Sequence, residues 1–177
     1  LMRSAGCVAN DLADRNLDGS VERTKSRPLV TGAVSTGEAT LFGLTLCLLA
    51  FILVLFTNNL TIMMSLPGAA LAATYPLMKR FTHMPQLVLG LAFSWGIPMA
   101  FSAIGNQIPP EACMLLAANL CWTVAYDTLY AMSDRPDDIK IGIKSTAILF
   151  GRYDLALISL FYGISFLLMF LLGRNLD

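Results

Sequence analysis

An all-α, polytopic bundle of transmembrane helices is the fold class that this sequence predicts, and three observations predict it. Of the 177 residues, 56% are hydrophobic and only 14% charged, against roughly 25% charged in soluble domains. The 40 residues from Ala39 to Met78 carry no charge. That is about 60 Å of helix at 1.5 Å per residue, and one crossing needs only about 20 residues. Finally, nearly all Lys and Arg fall in alternate loops between apolar stretches, as expected of a chain with a fixed orientation in a bilayer.

The elements follow in order. Leu1–Ala9 reads as the tail of a helix cut short, and residues 1–177 as a single domain truncated at both ends. The uncharged stretch holds two spans, with the polar "TNN" at Thr57–Asn59 as their turn. A third span fits Met84 to about Ile104 and ends at "GNQIPP"; a fourth fits Glu111 to about Ser133; a fifth fits Asp154 to Leu172. The first basic loop holds Arg15, Arg23, Lys25 and Arg27, the second Lys79 and Arg80, the third Arg135, Lys140, Lys144 and Arg152. The turns at Thr57–Asn59 and Gly105–Pro110 hold none. Five spans place the three basic loops on one side, which the positive-inside rule makes cytoplasmic.

Other features narrow the chemistry. Net charge is zero, so bulk charge gives no sign of a nucleic-acid partner. The only histidine, His83, reads as a loop residue and leaves little room for His-based metal or triad chemistry. Cys7, Cys47, Cys113 and Cys121 form no CxxC pair and read as small packing hydrophobes. Trp95 and Trp122 read as packing residues within spans, and Asn119 as an interhelical hydrogen bonder.

The acidic residues carry the functional signal. In "NDLADRNLDG", Asn10, Asp14 and Asp18 recur at i, i+4 and i+8, which stacks them on one face if the helix continues toward Gly19; Asp11 points elsewhere. In "YDTLYAMSDRPDDIK", Asp127 and Asp134 lie two turns apart with Tyr130 beside them, while Pro136 predicts a bent segment at Asp138. Carboxylates facing one another repel unless a cation lies between them. Clustered hard oxygen donors suit Mg²⁺, which binds through one or two carboxylates plus substrate phosphates. Neighbouring Lys and Arg suit phosphate oxygens. Ordinary solvated loop charges are the competing explanation, and two clusters on loops facing the same side weigh against it. Arg3 lies two turns from Asn10 on the same face; it either binds a substrate carboxylate or phosphate or pairs with a neighbouring helix.

The strings "MRSAGCVANDLADRNLDGSVERTKSRPLVTGAVS", "YPLMKRFTHMPQLVLGLAFSWGIPMAF" and "VAYDTLYAMSDRPDDIKIGIKSTAILFG" closely resemble the UbiA superfamily of intramembrane prenyltransferases, and within it the bacterial branch that prenylates 4-hydroxybenzoate in ubiquinone biosynthesis. The resemblance covers essentially the whole chain. It implies a bundle of nine spans, of which five and a helix stub are counted here, around a cavity that opens sideways to lipid. It implies Mg²⁺ as cofactor, polyprenyl diphosphate and 4-hydroxybenzoate as substrates, and a place in the bacterial inner membrane. By this resemblance Asn10, Asp14 and Asp18 match the first metal motif, and Asp127, Asp134 and Asp138 the second. Arg80 matches a basic residue used on the diphosphate, with Lys79, Lys140 and Arg15 as weaker matches, and Arg3 matches a position tied to the aromatic acid. Tyr130 or an Asp would assist proton removal from the ring.

Two other classes fit the residues less well. A CDP-alcohol phosphotransferase needs an ordered DGxxAR followed by GxxxDxxxD, and "LDGSVER" supplies only the DG. A divalent-cation transporter would place its acids at mid-membrane, whereas these sit at helix ends among Lys and Arg.

Overall fold

The computed structural model describes residues 1–176, which form helices α1 (Met2–Asp14), α2 (Pro28–Thr31), α3 (Thr36–Leu55), α4 (Asn59–Phe81), α5 (Pro85–Ser94), α6 (Gly96–Gly105), α7 (Pro110–Ile141), α8 (Thr146–Phe150) and α9 (Asp154–Leu176). Two single 3₁₀ turns, Asp18–Ser20 and Gly151–Tyr153, join them, and no strand is present among the described residues. The all-α expectation holds.

Five stretches are long and apolar enough to cross a membrane: Thr36–Leu55, Asn59–Phe81, Pro85–Gly105, Pro110–Ile141 and Thr146–Arg174. Local chemistry sets their ends. Ser35 Oγ accepts from the Glu38 N–H at 3.2 Å while Glu38 Oε2 accepts from the Ser35 N–H at 2.9 Å, a reciprocal cap that starts α3. Asn58 Oδ1 accepts from the Thr61 N–H at 3.0 Å and opens α4, so the "TNN" turn lies where the sequence put it. Gly142, at φ 73°, ends α7 in the left-handed conformation that glycine adopts freely.

The third span holds in its bounds but carries a break, and the fourth needs correction. The third span is two helices, because Pro98 has no N–H to offer the Ser94 carbonyl and α5 ends there. The break is pinned by Trp95, whose indole Nε1 donates to the Met64 carbonyl at 2.8 Å. The fourth span does not stop near Ser133. α7 runs unbroken through Pro136 to Ile141, about 48 Å of helix against a hydrocarbon core of about 30 Å. Pro136 is exposed, so water can serve the Met132 carbonyl that it leaves without a donor. Arg135 also ties this end of α7 to Asp154, at the start of α9, at 2.5 Å.

α7 is the hub. It packs on α5, α6, α8 and α9, while α1 packs on α3 and α4, and α4 joins the groups through α5 and α6. Its buried face is built of small residues (Ala112, Ala118, Val124, Ala125, Thr128 and Ala131) that let neighbouring backbones come close. Buried hydroxyls and amides then tie helix to helix. Asn119 Nδ2 donates to Ser94 Oγ at 3.0 Å, as expected from the sequence. Ser165 Oγ donates to the Ala118 carbonyl at 2.8 Å, and Thr61 and Ser102 hydroxyls meet at 2.8 Å. Large apolar side chains such as Leu41, Phe42, Leu48 and Phe170 project outward, which suits helices facing lipid. The cysteines depart from expectation: Cys7, Cys47 and Cys113 are exposed rather than packed, because they lie on outward faces, and all four are free.

Candidate active site

The ends of α1, α4 and α7 converge with the start of α5 and the 15–34 loop around two adjoining cavities of about 340 and 90 Å³. Asn10, Lys79, Asp134 and Asp138 line both. Asp14 and Asp18 complete the smaller; Asp127 and Tyr130 belong to the larger. Residues more than a hundred positions apart in the chain thus share one wall.

The first acidic cluster is assembled differently from the sequence expectation. α1 stops at Asp14 rather than near Gly19, because the Leu17 N–H bonds back to the Asp14 carbonyl at 2.7 Å and tightens the chain into a turn. Asp18 therefore begins a 3₁₀ turn instead of stacking one helical turn beyond Asp14. Both carboxylates are nonetheless buried, Asp14 to 1% exposure. The second cluster is more regular than expected. Since α7 continues through Pro136, Asp127, Asp134 and Asp138 share one face over three turns, and Asp138 is a helical, buried residue rather than part of a bend.

Basic side chains neutralise these acids. Asp14 Oδ2 pairs with Lys79 Nζ. Arg23 grips Asp134 with both prongs, Nε at 3.1 Å and Nη2 at 2.6 Å, a fork geometry that only arginine supplies. Arg27 Nη1 lies 2.8 Å from both Asp11 and Asp18. Asp11, read from the sequence as facing away, is thereby coupled to the cluster. Burial pushes the Asp14 carboxyl above the usual aspartate range, against the downward pull of its Lys79 hydrogen bond. The paired Asp134 holds the Arg23 guanidinium above its ordinary value.

Among the described residues no three acidic, histidine or cysteine side chains stand close enough to form a metal centre by themselves, so the six-residue cradle of Asn10, Asp14, Asp18, Asp127, Asp134 and Asp138 is not a preformed metal cage. The oxygen chemistry still fits a hard divalent ion. Asp14 Oδ1 is buried and has no hydrogen-bond partner, an acceptor that is costly to leave unpaired. Asp14 lines the smaller cavity with Asn10, Asp18, Asp134 and Asp138, oxygen ligands of the kind that Mg²⁺ takes alongside substrate phosphates, and with Lys79, Arg23 and Arg27.

Four residues singled out from the sequence stay outside the cavity walls. The Arg15 and Arg80 guanidiniums donate to the Leu12 and Ala13 carbonyls at 2.9 and 2.5 Å, satisfying the open end of α1. Lys140 pairs with Asp137 at 3.0 Å, one turn away and exposed. Arg3 is exposed on α1 and lines neither cavity. Conversely, the structure brings in Arg23, Arg27, Tyr75 and Gln86, which sequence reasoning passed over as site residues. The i, i+4 spacing of Arg23 and Arg27 just after the first motif was a usable signal; nothing local marked Gln86.

A family model described as the UbiA prenyltransferase family matches residues 1–176. The chain belongs to the UbiA prenyltransferase family. Its UbiA relatives include the 4-hydroxybenzoate octaprenyltransferase of Chromohalobacter salexigens, 58% identical over 176 residues, covering 99% of this chain and 59% of that protein. The enzyme of the same name from Marinomonas sp. is 60% identical over 173 residues, covering 97% of this chain and 61% of that protein. The chain thus spans about 60% of the length of the curated relatives it matches. Among solved structures, a UbiA homologue from Aeropyrum pernix K1 superposes with a TM-score of 0.84 at 29% identity, over 94% of this chain and 64% of that one. A UbiA homologue from Archaeoglobus fulgidus bound to GPP and Mg²⁺ shares the fold, with a TM-score of 0.75 at 21% identity, over 97% of this chain and 62% of that one.

Proposed function

We propose that this chain carries the active site for Mg²⁺-dependent transfer of a polyprenyl group from polyprenyl diphosphate to the ring of 4-hydroxybenzoate, ortho to its hydroxyl, as ubiquinone biosynthesis requires. The observation that carries this reading is the shared wall on which two aspartate clusters meet Lys79, Arg23 and Arg27. The names of relatives at 58% and 60% identity support the choice of acceptor and prenyl donor.

In this reading Asp14, Asp18, Asp127, Asp134 and Asp138, with Asn10, hold Mg²⁺–diphosphate, and the ion when bound offsets the charge of the leaving diphosphate. Lys79, Arg23 and Arg27 have N–H groups within reach of the same space and stabilise the diphosphate oxygens as the C1–O bond breaks. The exposed basic residues Arg15, Arg80 and Lys140 act at its periphery, and Arg3, exposed and outside both cavities, is not assigned to the acceptor carboxylate. The allylic cation requires a site that excludes water, which Tyr75, Leu89 and Ala131 help to wall off. The ring attacks and then loses a proton. Tyr130, whose hydroxyl accepts from that of Tyr126 at 3.2 Å, and Asp127 are the groups on this wall able to receive it. The active-site face lies on the cytoplasmic side of the bacterial inner membrane, on the strength of the basic loops.

The reading is tested with membranes expressing the full-length gene, supplied with 4-hydroxybenzoate and a polyprenyl diphosphate. Prenylated product that vanishes with EDTA and falls at least 100-fold in Asp14→Ala is the expected result. Absence of product with or without Mg²⁺ sinks it. Magnesium flux lost in Asp14→Ala without any transfer activity would instead favour the transporter.

A further inference from the structure

We propose that Gln86 is a binding residue for the aromatic acceptor, its side-chain amide donating a hydrogen bond to an oxygen of that molecule. The proposal deepens the prenyl-transfer reading and rests on it. Gln86 stands in the first turn of α5, is 5% exposed, and forms part of the wall of the larger cavity. Its Oε1 accepts from the Thr146 N–H at 3.0 Å. A backbone N–H can only donate, so the atom facing it is the oxygen, and the NH₂ group is fixed on the other branch of the carboxamide. Thr146 is itself fully buried, and its hydroxyl meets that of Thr128 on α7 at 2.6 Å. The carboxamide is therefore held from α8, which is tied in turn to α7.

The bond to Thr146 is the only hydrogen bond Gln86 makes among the described residues. Its Nε2 has no hydrogen-bond partner among them and keeps some open surface, so the amide offers a free donor whose natural partner is an oxygen acceptor. The neighbouring wall shows which substrate supplies one. Asn10, Lys79, Arg23 and Arg27 line both cavities and mark the diphosphate end. Tyr75, Leu89, Ala131 and Tyr130 line only the larger one together with Gln86. Asp127 and Lys144 also line this cavity; apart from these charges the surface around Gln86 is aromatic and apolar, which suits a flat ring with oxygen substituents better than a diphosphate. Gly90, one turn further along α5, brings this face close to α7: a Cβ there would stand 2.6 Å from Leu120 Cδ1.

The test uses the full-length protein in detergent at pH 8 and equilibrium binding of radiolabelled 4-hydroxybenzoate, with geranyl diphosphate as the second probe. Gln86→Glu keeps an oxygen for the Thr146 N–H and removes the NH₂ donor. It is expected to weaken 4-hydroxybenzoate binding by about tenfold or more and to leave geranyl diphosphate affinity within about twofold. Unchanged acceptor binding, a parallel loss for both ligands, or a wild type that binds no 4-hydroxybenzoate overturns the proposal. Gln86→Met carries the same expectations if the Glu variant cannot be recovered folded. Because binding is read without turnover, failure of prenyl transfer in the wild type counts against the functional reading and is seen separately.

Discussion

Arg23 is the residue on which the two motifs meet. Its guanidinium holds Asp134 through two nitrogens, and the ammonium of a lysine cannot reproduce that fork. Arg23→Lys, which keeps the charge, is therefore expected to lower kcat/KM for the prenyl diphosphate by about tenfold, measured in the membrane assay at saturating 4-hydroxybenzoate. Activity within twofold of wild type would show that charge alone suffices there. Asp14 illustrates the opposite economy. One of its oxygens is taken by Lys79 and the other is buried without a partner, so the site keeps one acceptor in reserve at the point where the acidic wall is most enclosed.

Among the elements, α5 and α7 set the width of the cavity. Gly90 allows their close approach, since an added Cβ would meet Leu120 Cδ1 at 2.6 Å and the Leu120 carbonyl at 3.4 Å. The carbonyl is at ordinary contact distance, so the cost lies in moving the Leu120 side chain out of its packed position. Gly90→Ala is expected to destabilise the fold by about 1–3 kcal/mol, read as a drop in the thermal midpoint in detergent; an unchanged midpoint would mean that Leu120 swings aside without cost. α7 itself matters through its length. Its last two turns project past the hydrocarbon thickness and carry Asp134 and Asp138 to the face where α1 ends.

For the whole molecule, the five spans place the basic loops on one side and the turns at Thr57–Asn59 and Gly105–Pro110 on the other. Once the native cysteines are replaced, which their exposure makes necessary, Lys25→Cys should react with a membrane-impermeant maleimide only in inside-out vesicles. Gln107→Cys should react only in intact spheroplasts. Labelling of both from the same side would reverse the proposed orientation or remove a span.

The sequence by itself determined the class of fold, the number of spans and the identity of the acids, because a bilayer imposes long uncharged helices and leaves charge only where it has a use. The family resemblance also pointed to Lys79, which the structure pairs with Asp14. Only the tertiary structure decided how the clusters are built. The i, i+4, i+8 pattern promised one continuous helix through Asp18, yet the chain turns after Asp14 and reaches the same wall by a tighter path. Pro136 promised a bend, yet α7 passes it, since an exposed proline at a helix end costs one hydrogen bond that water replaces. The spacing of Arg23 and Arg27 hinted at a role, but their partners Asp134 and Asp18, like Thr146 for the locally unmarked Gln86, are chosen by packing between distant segments. Spacing along a chain reports which residues share a helix; which helices share a cavity is settled by the close contacts among them.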